Sequence, residues 1–181
     1  LGKMHSANLE IEGVIPEQEG TMLFPWDKYK DLLQEQEQEA WVKRYLEALS
    51  DIRIWNRMAY DAQETLDKTL VLSHRDLDPK NVMWNDGQPW IIDWEAAGYV
   101  NPYQELLEVL NYWADDGKGG LLKVHFEALL NAYRQHMVLE DVDWKAVFAG
   151  SYMGMLGWLE YNVKRALGSE ATTKEERSLG K

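Results

Sequence analysis

The chain has 181 residues, of which 45% are hydrophobic and 28% are charged, and its formal net charge is −12. These values indicate a folded protein of one domain or one large lobe, and the negative charge makes nucleic acid a poor partner because phosphate binding needs a basic surface. The absence of Cys excludes disulfides and thiolate metal sites, which fits a reducing cytoplasm. No apolar run approaches the length that spans a membrane. An acidic surface attracts small cationic substrates, although acidity also serves solubility alone.

The first segment of the chain predicts a short helix followed by a loop. The stretch LGKMHS at residues 1–6 indicates the end of a helix, and the two Pro and two Gly of residues 12–26 indicate a loop. Asp27 then fits the N-cap of the next helix, because an Asp side chain accepts hydrogen bonds from the free backbone amides of a first turn.

Residues 28–66 predict two helices, because they contain no Pro or Gly and place apolar residues at helical spacing. A break is expected at Ser50 and Asp51, where Ser50 would cap the second helix. The stretch QEQEQE at residues 34–39 predicts a solvated helix face.

Residues 70–92 have a strand-like pattern instead. Three short apolar runs, TLVLS, NVMW and PWII, are rich in residues that favour strands. Asp86 and Gly87 separate the last two runs and are a strong hairpin signal. The polar stretch at residues 74–81 is therefore a loop between a first strand and a hairpin.

The chain after Asp93 predicts three further helices. Their apolar stripes recur at three- and four-residue spacing, and the turn DDGKGG separates the first helix from the second. Trp113, Trp158 and Tyr161 lie on these stripes, which favours core packing over an aromatic wall for a cation. The fold class is thus α+β, mainly helical, with a small strand-and-hairpin inset.

Three oxygen-bearing side chains meet at one end of the predicted hairpin. Asp76 and Asn81 lie five positions apart in the loop, and Asp93 ends the strand whose hairpin partner begins at Asn81. Hard oxygen ligands without His or Cys suit Mg²⁺, which is often shared with phosphates. A carboxylate beside such a site can accept the proton of a hydroxyl. The alternative is a hydrogen-bonded turn, since Asp and Asn favour turns.

The stretch HRDLDPKN followed by IIDWE resembles the catalytic loop and metal-binding segment of the aminoglycoside phosphotransferase and choline kinase family, which shares its fold with the protein kinases. LGKMHS and NPYQELLEVL resemble two helices of the same family. The resemblance covers most of residues 1–165, and its specific part is residues 70–110.

The resemblance implies how the chain is organised. Residues 1–168 would form the C-terminal lobe of a protein-kinase-like fold, in which a small β-hairpin carries the catalytic loop at 74–81 and the metal-binding segment at 91–95. Residues 169–181 would be a charged tail that we expect to be frayed, because it lacks periodicity.

The resemblance also implies a reaction. The enzyme would transfer the γ-phosphate of ATP to a hydroxyl of a small cationic molecule, such as an aminoglycoside, a choline-like amine or an amino sugar. Asp76 would orient that hydroxyl and accept its proton, while Asn81 and Asp93 would hold Mg²⁺ against the phosphates of ATP. His74 would brace the loop without taking part in the chemistry.

The loop at 74–81 departs from the sequence patterns of both the small-molecule kinases and the protein kinases. Arg75 stands where the small-molecule kinases usually have Gly, and Asp78 stands where protein kinases have a Lys that meets the transferred phosphate. Lys80 supplies positive charge nearby, although we expect it to point to solvent. Asp78 caps the loop or contacts the substrate, and Glu95 and Trp158 are further candidates for substrate contact.

Nothing in the chain resembles the glycine-rich phosphate loop or the strand Lys of these kinases, which belong to the N-terminal lobe. The chain also begins with Leu1 instead of Met. We therefore expect a C-terminal lobe whose partner is the N-terminal lobe of the same parent protein, and an isolated chain that is inactive.

Two other functions fit the same fold. A protein kinase is disfavoured because the chain passes from Asp93 to the next helix without room for an activation loop, and no Ala-Pro-Glu segment follows. A non-catalytic binding module is disfavoured because Asp76, Asn81 and Asp93 are all present. We expect a cytoplasmic enzyme whose partners are ATP and a small acceptor, with neither nucleic acid nor membrane.

Overall fold

A computed structural model describes residues 1–16, 22–34 and 38–180 of the chain. Within these ranges the chain is mainly helical, and its strands are three or four residues long. The helices are α1 (Gly2–Ala7), α2 (Trp26–Leu33), α3 (Ala40–Leu66), α4 (Pro102–Ala114), α5 (Lys123–Arg134), α6 (Trp144–Leu167) and α7 (Lys174–Leu179). The strands are β1 (Val71–Ser73), β2 (Val82–Asn85), β3 (Gln88–Ile91) and β4 (Gly98–Val100). None of the helices in the described ranges has both the length and the apolar character needed to cross a membrane.

The hairpin prediction is confirmed. β2 and β3 pair antiparallel, from Val82 opposite Ile91 to Asn85 opposite Gln88. The two turn residues between them both have positive φ, 49° at Asp86 and 76° at Gly87. This backbone matches the right-handed twist of the strands, and Asp followed by Gly adopts it at low cost. The mainly helical α+β class is confirmed as well.

The fourth strand is one that the sequence did not predict. β4 pairs antiparallel with β1, with Ser73 opposite Gly98, so the first strand and the hairpin belong to separate two-stranded sheets. A β-carbon at Gly98 would lie only 2.9 Å from the Arg75 Nη1 atom. Glycine at this position therefore leaves room for the Arg75 side chain.

Two predicted helix boundaries were wrong. α2 begins at Trp26 with Pro25 in the cap position, so Asp27 lies in the first turn and is not the N-cap. α3 continues unbroken through Ser50 and Asp51, because its buried apolar face, which includes Leu49 and Ile52, continues across that point. α2 ends at Leu33 and α3 begins at Ala40. Of the solvated face predicted at 34–39, residues 35–37 lie outside the described residues.

The chain divides into two compact units. The first is built from the described residues of Leu1–Glu19 and Glu64–Val147 and contains the loop at 74–81. Its apolar cluster joins α4 to α5 and the segment after α5. The buried members of that cluster are Leu106, Leu110, Tyr133 and Leu139.

The second unit is built from the described residues of Gly20–Gln63 and Phe148–Lys181. Its apolar cluster is formed by α2, α3 and α6, and the buried members are Trp26, Tyr29, Leu33, Val42, Tyr45, Leu49, Ile52, Leu156 and Val163. The charged tail, which we expected to be frayed, contains the helix α7. A capping box between Thr173 and Glu176 begins that helix.

Core packing of Trp158, which the helical stripe favoured, was wrong. Its side chain is 65% exposed and stacks on Tyr161, with the ring centroids 5.5 Å apart. The buried residues of α6 nearby are Leu156 and Val163. Trp158 lies two positions from Leu156, which turns it about 200° around the helix and away from that buried row.

Candidate active site

The loop after β1 is braced by His74, which is fully buried. Its Nδ1 atom accepts the backbone N–H of Asp76 at 3.3 Å, and its Nε2 atom lies 2.8 Å from the backbone oxygen of Ile92. Because a carbonyl only accepts hydrogen bonds, Nε2 is the nitrogen that carries a proton. The ring therefore ties the loop to the end of the hairpin. The edge-to-face contact with Trp94, at 4.7 Å between centroids, holds the ring from the side.

Asp76 and Asn81 are in direct contact. The Asn81 side-chain amide donates to the backbone oxygen of Asp76 at 2.8 Å and to its carboxylate Oδ2 at 2.9 Å. Asn81 is buried, whereas the Asp76 side chain is 39% exposed. The loop thus presents a carboxylate to solvent while a buried amide fixes its orientation. The loop backbone reverses in a short 3₁₀ turn over Pro79–Asn81.

Asp93 lies where the hairpin predicted it. The ladder of the hairpin extends by one bond beyond β2 and β3, in which the Ile92 amide donates to the Asn81 carbonyl at 3.0 Å. Asp93 follows directly, with φ of 63° and ψ of 62°. A left-handed conformation is uncommon for a residue other than Gly and is typical of functional positions. Its side chain is exposed and makes no hydrogen bond or ion pair within residues 1–16, 22–34 and 38–180.

Asn81 and Asp93 fit a Mg²⁺ ion in their donor chemistry. Both hydrogens of the Asn81 amide point to Asp76, which leaves its oxygen for a ligand. Asp93 adds a carboxylate that is engaged with no other described residue. Among the described residues no three His, Cys, Asp or Glu side chains are grouped for metal binding. One amide, one carboxylate, water and phosphate oxygens are the mixed set that Mg²⁺ accepts.

A buried network that no local sequence pattern predicted holds the loop from α4. Glu105, which is 1% exposed, accepts the backbone N–H of Arg75 at 2.8 Å through Oε1. Its Oε2 atom accepts from Nε2 of the buried His5 at 2.7 Å. The other nitrogen of His5 lies 2.8 Å from the hydroxyl of Tyr133, and Ser73 lies 3.2 Å from Nε2. Four elements of the first unit are therefore joined beneath the loop.

Burial alone would raise the pKa of Glu105, but the opposite shift results. Hydrogen bonds from His5 and Ser73, the charge interaction with His5 and the backbone N–H of Arg75 stabilise the carboxylate and lower its pKa. Glu105 is therefore ionised within the network. The resemblance of NPYQELLEVL to a family helix placed Glu105 on a helix, but no local signal linked it to His5, which is 100 positions away.

Trp113 gives α4 a second contact with the loop. Its indole N–H donates to the backbone oxygen of Leu77 at 2.8 Å. Leu77 is buried, and Trp113 is half-buried. The stripe that predicted core packing for Trp113 did not indicate this polar contact.

Asp78 caps the loop. Its Oδ1 atom accepts the backbone N–H of Lys80 at 2.9 Å, as expected if Asp78 caps the loop. The Lys80 ammonium lies 3.6 Å from Asp78 and 4.0 Å from Asp76, although its side chain is 66% exposed. Glu95 lies exposed in the 3₁₀ turn after Asp93. The substrate roles of Asp78 and Glu95 stay predictions.

Acidic groups of the loop and of α4 lie near the exposed Asp76 carboxylate, together with the Lys80 ammonium. Burial, followed by the charges of Glu105 and Asp76, raises the pKa of Glu108 on α4, against a hydrogen bond from Tyr112. Burial and the charge of Glu108 raise the pKa of Tyr112 to about 12, and Asp76 and Asp78 add to this shift. The negative charges of these carboxylates favour the binding of a cation beside Asp76. Trp158, the remaining candidate for substrate contact, belongs to the second unit.

A family model described as the phosphotransferase enzyme family matches residues 1–139. The match includes the loop at 74–81, the hairpin and Asp93. No curated protein and no solved structure matches the chain.

Proposed function

Because this chain belongs to the phosphotransferase enzyme family, we propose that it transfers the γ-phosphate of ATP to a hydroxyl of a small cationic molecule. The protein-kinase-like C-terminal lobe over residues 1–168 is part of the same proposal. The contact between Asn81 and Asp76, beside a hairpin that Asp93 directly follows, is the observation that carries it.

Asp76 is the proposed catalytic carboxylate. Its Oδ2 atom is oriented by Asn81, and the side chain is exposed enough to meet a hydroxyl. The acceptor oxygen forms a bond to the γ-phosphorus, and the bond from that phosphorus to the β,γ-bridging oxygen breaks. ADP leaves with the electron pair, and the hydroxyl proton passes to Asp76. Positioning and charge stabilisation dominate this class of reaction.

Asn81 and Asp93 are the proposed ligands of Mg²⁺. A magnesium ion bound beside Asn81 and Asp93 would offset the negative charge of the ATP phosphates. His74 connects the loop at 74–81 to the end of the hairpin, because it forms hydrogen bonds with the backbone of both Asp76 and Ile92. It thereby supports the loop and does not touch the reacting atoms.

The acidic residues near Asp76 support a cationic acceptor. Asp76 and Asp78 lie in the loop, Glu108 lies on the facing helix, and the whole chain carries a net charge of −12. An amine or quaternary ammonium group beside the reacting hydroxyl would be attracted to these carboxylates. Aminoglycosides, choline-like amines and amino sugars all carry such groups.

A protein acceptor is less well supported. Only residues 94–101 separate Asp93 from the first residue of α4, and they are occupied by a 3₁₀ turn and by β4, which pairs with β1. No long segment is available there to bind an extended peptide. This favours a small acceptor over a protein kinase reaction.

The test uses the full-length product of the gene. ATP consumption is measured with Mg²⁺ and a panel of aminoglycosides, amino alcohols and amino sugars. Asp76→Asn is expected to abolish turnover. Asp86→Asn is the matched control, because Asp86 is exposed in the hairpin turn, where Asn tolerates its positive φ. No ATP consumption with any acceptor, or equal rates for both variants, would refute the proposal.

A further inference from the structure

We propose that Trp113 is a positioning residue, which fixes Asp76 by holding the backbone that follows it. This inference rests on the proposed function, and it adds a residue that neither the motif nor the family match assigns. Its basis is the hydrogen bond from the Trp113 indole to the Leu77 carbonyl at 2.8 Å.

α4 holds the loop on both sides of Asp76. Glu105 accepts the N–H of the preceding residue, Arg75, and Trp113 donates to the carbonyl of the following residue, Leu77. The two α4 residues lie eight positions apart, which is about two helical turns. One rigid helix thus holds the backbone on each side of Asp76, at the peptide units 74–75 and 77–78.

The loop needs such support because its own backbone is strained. Arg75 has a φ of 66°, in the left-handed region that residues with a β-carbon avoid. Residues held in this conformation persist only when their surroundings impose it. The bond from Glu105 acts on Arg75 directly. Without Trp113, the loop after Asp76 would lose this side-chain bond to α4.

The polar atom of the indole distinguishes positioning from packing. The Trp side chain has a single hydrogen-bond donor and no acceptor, and this donor is used on the main-chain oxygen of the buried Leu77. Trp113→Phe keeps an aromatic ring but removes the donor, so the Leu77 carbonyl is left without that partner. If Trp113 only filled space, the loss of the N–H group would have little effect on Asp76.

The experiment compares Trp113→Phe with Trp41→Phe in the full-length protein. Trp41 is a matched control, because its buried indole N–H makes no hydrogen bond to any residue the structure describes. We expect kcat of Trp113→Phe to fall about tenfold, since small displacements of a catalytic group have large effects. KM for ATP and for the acceptor should stay within about twofold. Trp41→Phe should keep the wild-type kcat.

Hydrogen exchange of the loop amides provides a readout that does not depend on activity. The amides of residues 75–78 should exchange about fivefold faster in Trp113→Phe, as expected for the loss of one hydrogen bond. If Trp113→Phe fails to fold, site-specific β-(3-benzothienyl)alanine at position 113 keeps the ring shape and removes only the N–H group.

The outcomes separate the two proposals. A kcat and an exchange rate equal to those of Trp41→Phe would overturn the role of Trp113. If wild-type protein transfers no phosphate to any acceptor, the proposed function fails, and exchange alone then decides on Trp113. Faster exchange at residues 75–78 would support it, and unchanged exchange would overturn it.

Discussion

His5→Ala tests the buried network beneath the loop. His5 is 1% exposed and connects Glu105, Ser73 and Tyr133, which lie on three other elements of the first unit. The substitution removes the imidazole and leaves a buried carboxylate at Glu105 without its partner. The hydroxyl of Tyr133 also loses its hydrogen bond to the His5 ring.

The cost can be worked out from these contacts. Removing the hydrogen-bond partner of a buried ionised carboxylate costs about 3–5 kcal/mol, because the remaining charge is left uncompensated, and the bond to Tyr133 adds about 1 kcal/mol. The backbone bond from Arg75 to Glu105 remains and offsets part of the loss. A net loss of about 4 kcal/mol is expected. In a domain of this size 1 kcal/mol lowers Tm by about 2–4 °C, so Tm should fall by roughly 10 °C.

The assay is thermal unfolding of the full-length protein at neutral pH, followed by circular dichroism. His125→Ala is the matched control, because His125 lies on α5 of the same unit and is exposed. Its Tm should stay within about 2 °C of the wild type, since exposed substitutions seldom change stability. Equal Tm values for His5→Ala and His125→Ala would refute the claim that the network stabilises this unit.

Three further predictions concern Glu105, Asn101 and Asn81. Contacts in the folded protein lower the pKa of Glu105 below its unfolded value, so its stabilisation is present above the unfolded pKa and is lost as pH falls through the folded pKa. Acid unfolding of Glu105→Gln should therefore be less steep than that of the wild type, and parallel curves would contradict this. Asn101→Ala removes the α4 cap and two bonds to backbone carbonyls. It should cost about 2–3 kcal/mol in urea unfolding, and a loss below about 0.5 kcal/mol would contradict the capping role. Asn81→Ala should raise the Mg²⁺ concentration for half-maximal activity about 10–100-fold, and an unchanged Mg²⁺ dependence would remove Asn81 from the metal site.

The hairpin, and the grouping of the candidate site residues at one end of it, could be predicted because they depend on local sequence patterns. Asp86 and Gly87 specify the turn, and the turn sets the register that brings Asn81 beside Ile92. The loop motif and the residue after the hairpin are then adjacent by geometry alone. This explains why Asp76, Asn81 and Asp93 could be grouped from spacing.

The support of the loop could not be predicted, because it depends on distant pairs. His5 is 128 positions from Tyr133 and 100 from Glu105, and Trp113 is 36 from Leu77. Apolar periodicity places Trp113 on a helix face but gives no information about its N–H group. The three-residue strand β4 is also too short to give a pattern, and its partner β1 is distant in sequence.

The central claim is that Asp76 accepts the acceptor proton during phosphoryl transfer. The most direct measurement is the single-turnover rate of phosphate transfer in the full-length protein, by rapid quench with ATP, Mg²⁺ and the acceptor found in the panel. Asp76→Asn should slow this step about 10²–10⁴-fold, while the Kd for ATP stays within about twofold. A single-turnover rate equal to that of the wild type would contradict the catalytic role of Asp76.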